Sequence, residues 1–331
     1  MIKVGMLSYW HVHAWDYTKQ VQAHPETEIV AVWDELSDRG RETAEKLGVP
    51  FFADLDELLA KDEIDAVVVD TPTNMHRDVM VKAAEAGKHI FTEKVIAPTV
   101  AEVDEILAAV QKANVKLTVS LPRLNDPSTL AIQQILEQGV LGKVTLVRAR
   151  LSHNGATAGW LPEHFYNLEQ CGGGALIDLG CHPMYLTRLF MGMPVQVSAS
   201  YGYVTNKEVE DNAVSLLTGA SGELGIVEAG FVNSHSPFTI EVHGTEGTLL
   251  YGNPEGRIIL RSNKLEQQDW TEVAQGTPRV SAFEQWVQHI QGGTEATENV
   301  QLARDLTILM EASNRSVAQK RTIRVDELTS N

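Results

Sequence analysis

The residues of this chain best suited to chemistry fall into three groups. The first is Ser8-Tyr9-Trp10-His11-Val12-His13, directly after the strand-like run Ile2–Leu7. Two imidazoles one residue apart can meet a metal ion, and the start of the helix that follows offers backbone N–H groups to an anion. The second group is Asp34, Thr71-Pro72-Thr73-Asn74 with His76, and Glu93-Lys94, set at the ends of short apolar runs. A lysine at such a strand end can bind a reacting oxygen and stabilise developing alkoxide charge. The third is Gly172-Gly173-Gly174 followed by Asp178, Gly180, Cys181, His182 and Tyr185. Asp178 and His182 are four residues apart and share a face if the segment is helical. An imidazole titrating near neutrality beside a carboxylate suits general acid–base work, although such a pair is structural at least as often. Cys181 reads as a small core residue.

These groups need elements to position them. Strands are expected at Ile2–Leu7, Ile29–Trp33, Ala66–Val69, His89–Thr92 and Leu117–Ser120. Between them lie helical patterns at His13–Ala23, Ser37–Leu47, Asp54–Lys61, Asn74–Ala86 and Thr99–Ala113. Ser37 reads as an N-cap, and Gly48 sits just past that helix's end. Strand–helix alternation with short links implies right-handed crossovers and a parallel sheet, either doubly wound or closed into a barrel. After about residue 120 the pattern changes. A helix at Ser128–Gln138 and a strand at Lys143–Leu151 precede a loop-rich stretch, Ser152–Gly174, and a helix from near His182. Strands follow at Val195–Val204, Asn212–Thr218, Leu224–Asn233, Phe238–His243, Thr248–Tyr251 and Arg257–Arg261. Turns such as Gly219–Gly222 and Gly252–Gly256 join them, which predicts a largely antiparallel sheet. Helices near Ala282–Gln291 and Asn299–Gln319 close the chain. The expected fold is α/β: a doubly wound parallel sheet over 1–120, then an α+β domain with an open, largely antiparallel sheet over 121–331.

Charge and composition exclude several classes. The 331 residues carry 27 Lys and Arg against 44 Asp and Glu, a net of −17 spread along the chain. No basic face is evident, so neither nucleic acid nor an anionic membrane is expected as a partner. No apolar stretch reaches the ~18 residues of a spanning helix, and the start lacks a signal-peptide pattern. The two cysteines, Cys171 and Cys181, form no disulfide framework. A cytoplasmic protein is expected.

In an open parallel sheet, ligands bind at the carboxyl ends of the strands. Asp34, 21 residues past His13, is placed to accept from ribose hydroxyls and to repel a 2′-phosphate, favouring NAD over NADP. Its plainer role is to cap the next helix. The glycines of a dinucleotide fingerprint are replaced by Ser8, Trp10 and His13.

Thr71-Pro-Thr-Asn74-Met-His76 with Ala86-Gly87-Lys88-His89-Ile-Phe-Thr-Glu93-Lys94 resembles the TP-x-N-x-x-H … AGKHV-x-x-EKP stretch of the Gfo/Idh/MocA family. Gly172–Tyr185 is similar to that family's GGGAL-x-D-x-G-x-H-x-x-D motif. Val140-Leu-Gly-Lys-Val144, His243–Thr248 and the Gly292-Gly293 … Glu311-Ala-Ser313 region also look like family pieces, in the right order over nearly the whole chain. The resemblance implies a Rossmann domain followed by a sheet domain that associates into dimers or tetramers. It implies a catalytic trio of Lys94, Asp178 and His182. Departures from the pattern are Val95 for the EKP proline and Tyr185 for the last motif aspartate.

The leading expectation is an NAD-dependent oxidoreductase moving a hydride between nicotinamide and a secondary hydroxyl or ketone of a sugar, cyclitol or polyol. Its cofactor contacts are expected at Ser8, Trp10, His11, Asp34, Thr71, Pro72, Asn74, His76, Glu93 and Lys94. Substrate contacts are expected at Arg123, Trp160, Phe165 and Tyr166, where the aromatics either wall a sugar ring or simply pack a core. No metal is expected. The alternatives are a metal-dependent hydrolase built on His11 and His13, completed by His76, His153, His164 or His182, and a non-catalytic Rossmann-derived binding protein.

Overall fold

In the computed structural model, residues 1–252, 256–267 and 269–329 are described. The short apolar runs of the first 120 residues become β1 (Ile2–Leu7), β2 (Thr27–Trp33), β3 (Phe51–Phe52), β4 (Ala66–Val69), β5 (His89–Thr92) and β6 (Leu117–Val119). They pair in parallel in the order β3-β2-β1-β4-β5-β6. The sheet winds outward both ways from β1 and β4, so their carboxyl ends form the switch-point crevice of a doubly wound fold. It is open, which removes the barrel. All four residues of β4 are buried, as a strand covered on both faces requires.

Local sequence sets the helix ends. Thr99 and Glu102 form a capping box on the helix Val100–Ala113. Asp54 accepts from the N–H groups of Asp56 and Glu57. Gly48 ends the helix Ser37–Leu47 in a left-handed conformation, φ 70. Ser37 is the first residue of that helix, and Leu36 precedes it. The expected N-cap position is thus one residue off, because Asp34 already holds the Leu36 N–H.

By contacts the chain forms two units: Met1–Ser120 with Ser281–Ala303, and Leu121–Val280 with the residues from Arg304 onward. The return of 281–303 to the first unit has a packing cause. Helix Ala282–Gly292 sets Phe283 and Trp286 against Phe91, with ring centroids 5.6 and 5.7 Å away. These rings join Val4, Met6, Val32 and Val68 in one core. Truncating such a buried ring typically costs about 3–5 kcal/mol. Asn299 adds a polar tie, accepting from Val119 N–H and donating to Val119 O, both at 2.8 Å, which occupies the free side of the edge strand β6.

The second unit is built on β7 (Val144–Ser152), β8 (Gln196–Gly202), β9 (Asn212–Thr218), β10 (Leu224–Gly230), β11 (Thr239–Gly244), β12 (Gly247–Tyr251), β13 (Ile258–Ser262), β14 (Thr271–Val273) and β15 (Ile323–Arg324). Their order is β14-β13-β12-β11-β7-β10-β9-β8-β15. All pairs are antiparallel except β7 with β10. The turn expected at 252–256 falls partly outside the described residues. Helix Cys181–Met191 buries Met184, Tyr185, Leu186 and Phe190 and covers β7 and β10. The stretch expected to be loop-rich, 152–174, contains three short helical turns, Gly155–Ala158, Glu163–Tyr166 and Leu168–Cys171. No helix of the described residues is long and apolar enough to cross a membrane.

Candidate functional site

The first unit gathers Ser8 to His13, Asp34, Asp70 to His76, and Glu93-Lys94 at the carboxyl ends of β1, β2, β4 and β5. Ser8 holds φ 77, the left-handed backbone that a glycine normally supplies. Its hydroxyl accepts the Trp10 N–H at 3.1 Å. The Tyr9 N–H goes to Asp34 Oδ2 at 2.9 Å, and the His13 N–H to His11 Nδ1 at 3.2 Å. The loop therefore keeps the fingerprint turn while satisfying several of its own amides.

Asp34 ends β2 as expected, wholly buried. Its carboxylate takes Tyr9 N–H, Leu36 N–H and a bidentate clasp from Arg39, whose Nε and Nη2 lie 2.8 and 2.7 Å from its oxygens. Arg39 also reaches Ser8 Oγ at 3.3 Å and Glu35 at 2.5 Å. Arg39 escaped the reading of the sequence. Its signal was a cation five residues past the strand-end carboxylate.

Glu93 lies at the centre of the crevice, with a buried carboxylate. Its Oε2 is 3.2 Å from His13 Nδ1 and 3.8 Å from His11 Nδ1, and it accepts from the Tyr17 hydroxyl. Burial alone would raise this carboxyl, but His11, His13 and Lys94 hold it well below the usual range. Asp70, just beyond β4, is the opposite case: burial, with Glu93 adding to it, pushes its carboxyl well up. Lys94 is buried beside Glu93. His76 is a brace, with ring nitrogens 3.0 Å from Val95 O and 3.1 Å from Thr71 O. It ties the segment after β4 to the one after β5. Thr71 and Pro72 are buried, and Asn74 is exposed on the short turn Thr73–Met75.

In the second unit the glycine run permits a close approach. A Cβ on Gly174 would stand 2.1 Å from Glu210 O. Glu210 accepts the N–H groups of Gly174 and Leu176 at 2.8 and 2.9 Å, holding the turn Ala175–Asp178. Burial pushes its carboxyl up to about 7, against the pull of those amides. Sequence reading missed Glu210, because nothing local marks a capping group 36 residues away.

Asp178 ends that turn, and His182 lies in the first turn of helix Cys181–Met191, so the pair spans two helical pieces rather than one. His182 is buried, with Nδ1 3.3 Å from the Tyr185 hydroxyl, which accepts the Arg123 N–H at 3.0 Å. Tyr185 thus orients the imidazole from the position where the family motif has an aspartate. His153, named in advance only as a hydrolase ligand, lies within the electrostatic reach of Asp178. Its Nδ1 accepts the Gly155 N–H at 3.0 Å, so Nε2 carries the proton of the neutral ring. Of the candidate wall, Trp160 is exposed and packs 4.5 Å from the His153 ring, whereas Phe165 and Tyr166 join a core with Ala175, Val209 and Phe231. The Arg123 guanidinium lies 4.1 Å over the Phe238 ring. Cys181 and Cys171 are buried outside any disulfide, and their thiols donate to Asp178 O and His164 O.

Residues 3–121 match the family model described as an oxidoreductase family with an NAD-binding Rossmann fold, and residues 129–250 match the GFO/IDH/MocA C-terminal domain. This chain belongs to the Gfo/Idh/MocA oxidoreductases. It is 28% identical to the scyllo-inositol 2-dehydrogenase (NAD(+)) of Bacillus subtilis over 76% of this chain and 72% of that protein. It is 27% identical to the myo-inositol 2-dehydrogenase of Thermotoga maritima over 91% and 92%. A levoglucosan dehydrogenase solved with NADH and levoglucosan shares the fold, with a TM-score of 0.82 and 20% identity over 98% of each chain.

Family membership makes the first unit an NAD-binding domain and the chain an oxidoreductase. The crevice fits that cofactor in its backbone: the strand order gives the switch point, and Ser8 keeps the turn. The hydrolase alternative finds no support, because the parallel sheet is open, the second sheet is largely antiparallel, and these relatives are dehydrogenases.

Proposed function

We propose that this Gfo/Idh/MocA oxidoreductase uses NAD to oxidise a secondary hydroxyl of a cyclitol, sugar or related polyol, or to reduce the corresponding ketone. The names of its inositol dehydrogenase relatives support the substrate class. The observation that carries the reading for this chain is the buried His182, turned by the Tyr185 hydroxyl and preceded by Asp178. In this reading His182 takes the hydroxyl proton as substrate is oxidised. Lys94 binds the reacting oxygen and stabilises alkoxide charge as it develops. Asp178 and His153 hold the substrate's hydroxyls, and Trp160 offers an apolar face to the ring. NAD, when bound, accepts the hydride.

NAD is taken in preference to NADP because Asp34 stands at the ribose end of the crevice. Arg39 weakens that preference by neutralising it. The protein associates as a homodimer or homotetramer through the outward face of its large sheet. A cytoplasmic location completes the proposal, and two buried cysteines outside any disulfide suit it.

The test is a panel of inositols, aldoses and anhydro sugars assayed for nicotinamide reduction. At least one polyol is expected to turn over, and Lys94→Ala to lower the rate by about 10²-fold or more. No reduction of NAD or NADP by any polyol would remove the proposed substrate class.

A further inference from the structure

We propose that His11, His13 and Glu93 bind one divalent transition-metal ion, zinc in the first instance. The site stands within the first unit and does not depend on the proposed reaction. It departs from the metal-free expectation of the sequence.

Backbone pairing fixes the three residues. His11 N–H donates to Asp70 O at 3.2 Å, and Glu93 N–H to Val69 O at 3.1 Å, so both sit in register beside β4. The His13 N–H donates to His11 Nδ1, so that nitrogen carries no proton, and an ion bound there takes over the lone pair that now accepts this N–H. His11 Nδ1 nevertheless lies 3.8 Å from Glu93 Oε2, and His13 Nδ1 lies 3.2 Å from the same oxygen. One ligand atom from each residue falls within 4.8 Å of the others. A tetrahedral zinc ion with bonds of about 2.0 Å holds its ligands about 3.3 Å apart, so small side-chain rotations close these atoms on an ion. Two imidazoles and a carboxylate are a donor set that zinc and its first-row neighbours accept. The Tyr17 hydroxyl, itself 2.7 Å from Ser120 Oγ, donates to the Glu93 carboxylate and so orients it, as outer-shell partners of metal ligands do.

Asp70 supplies an independent observation. Both its carboxyl oxygens are buried, and neither has a hydrogen-bond partner. Such atoms call for an ion or a water, and Asp70 lies within the electrostatic reach of Glu93. Three protein ligands leave at least one coordination position for a water or another oxygen donor.

The experiment uses the full chain, stripped with a chelator and freed of nucleotide, titrated calorimetrically with Zn²⁺ and spectroscopically with Co²⁺. One equivalent of zinc is expected, with the visible bands of tetrahedral cobalt. His13→Ala, at a half-exposed side chain, and the milder His13→Asn are each expected to weaken binding more than about 100-fold while keeping the circular dichroism of the parent. His289→Ala, on a helix end elsewhere in the unit, is expected to bind as the parent does. No uptake by the folded parent, or binding unchanged in both His13 variants, overturns the site. NAD affinity is measured on the same samples: dinucleotide binding without metal binding removes this inference and leaves the proposed function standing.

Discussion

Asp34 joins a packing role seen in the fold to a proposed role in specificity. A strand-end carboxylate read alone predicts discrimination against a 2′-phosphate. In the folded chain its charge is shared with Arg39, and its oxygens are filled by two backbone amides and the guanidinium. Removing the guanidinium leaves an uncompensated carboxylate at the proposed ribose contact. Arg39→Ala is therefore expected to raise the affinity ratio of NAD over NADP by on the order of tenfold, about 1.4 kcal/mol. Asp34→Ala is expected to lower that ratio below the parent's. Titration of both dinucleotides into the three proteins checks this, and equal ratios throughout would end Asp34's assigned role.

At the scale of elements, Glu210 links β9's approach to the turn that carries Asp178. Its carboxyl titrates at about 7 in the fold against an ordinary 4.5, so the folded chain holds this proton more tightly than the unfolded chain. The resulting stability is complete below about pH 4.5 and is lost as pH rises through about 7. Glu210→Gln has no such proton to lose. Across that window its unfolding free energy is expected to shed a falling slope of up to about 1.4 kcal/mol per pH unit, measured by denaturant titration at several pH values. An unchanged slope would show that the carboxyl does not titrate there.

The same element separates what could be read in advance from what could not. β1, β4, β5 and the helix Ser37–Leu47 fall where the apolar periodicity and Gly48 put them. They are local patterns that burial only confirms. The two-residue strands β3 and β15 and the three-residue β14 carry too little sequence to show a period, and they exist because a neighbouring edge offers hydrogen bonds. Lys94, Asp178 and His182, the proposed catalytic residues, stand out in the sequence only through motifs. Glu210, Arg39 and the bracing role of His76 do not stand out, because each acts on a backbone or side chain that only the fold brings near.

For the whole molecule, the large sheet turns one face outward with an unusual mixture. On β9, Val214 and Leu216 are exposed at 41% and 40%. Leu216 stands opposite Ser198 on β8 and Ile226 on β10, and Val214 opposite Glu228. Arg148 pairs with Glu228 at 2.8 Å and approaches Glu241 at 3.8 Å on the same row of strands. An apolar strip flanked by paired charges suits association between copies. Light scattering is expected to give a dimer or tetramer for the parent and a smaller, folded species for Leu216→Lys. A monomeric parent would remove association from the account.

His182 is the proposed base in oxidation of a polyol by this chain. The pH dependence of kcat/KM for the best polyol, compared between the parent and His182→Ala, tests that role most directly. The parent is expected to gain activity as pH rises through the range of a titrating imidazole. The variant is expected to be slower by about 10²–10⁴-fold and to lack that rise. A folded His182→Ala protein with near-parental turnover and the same pH profile would contradict the assignment.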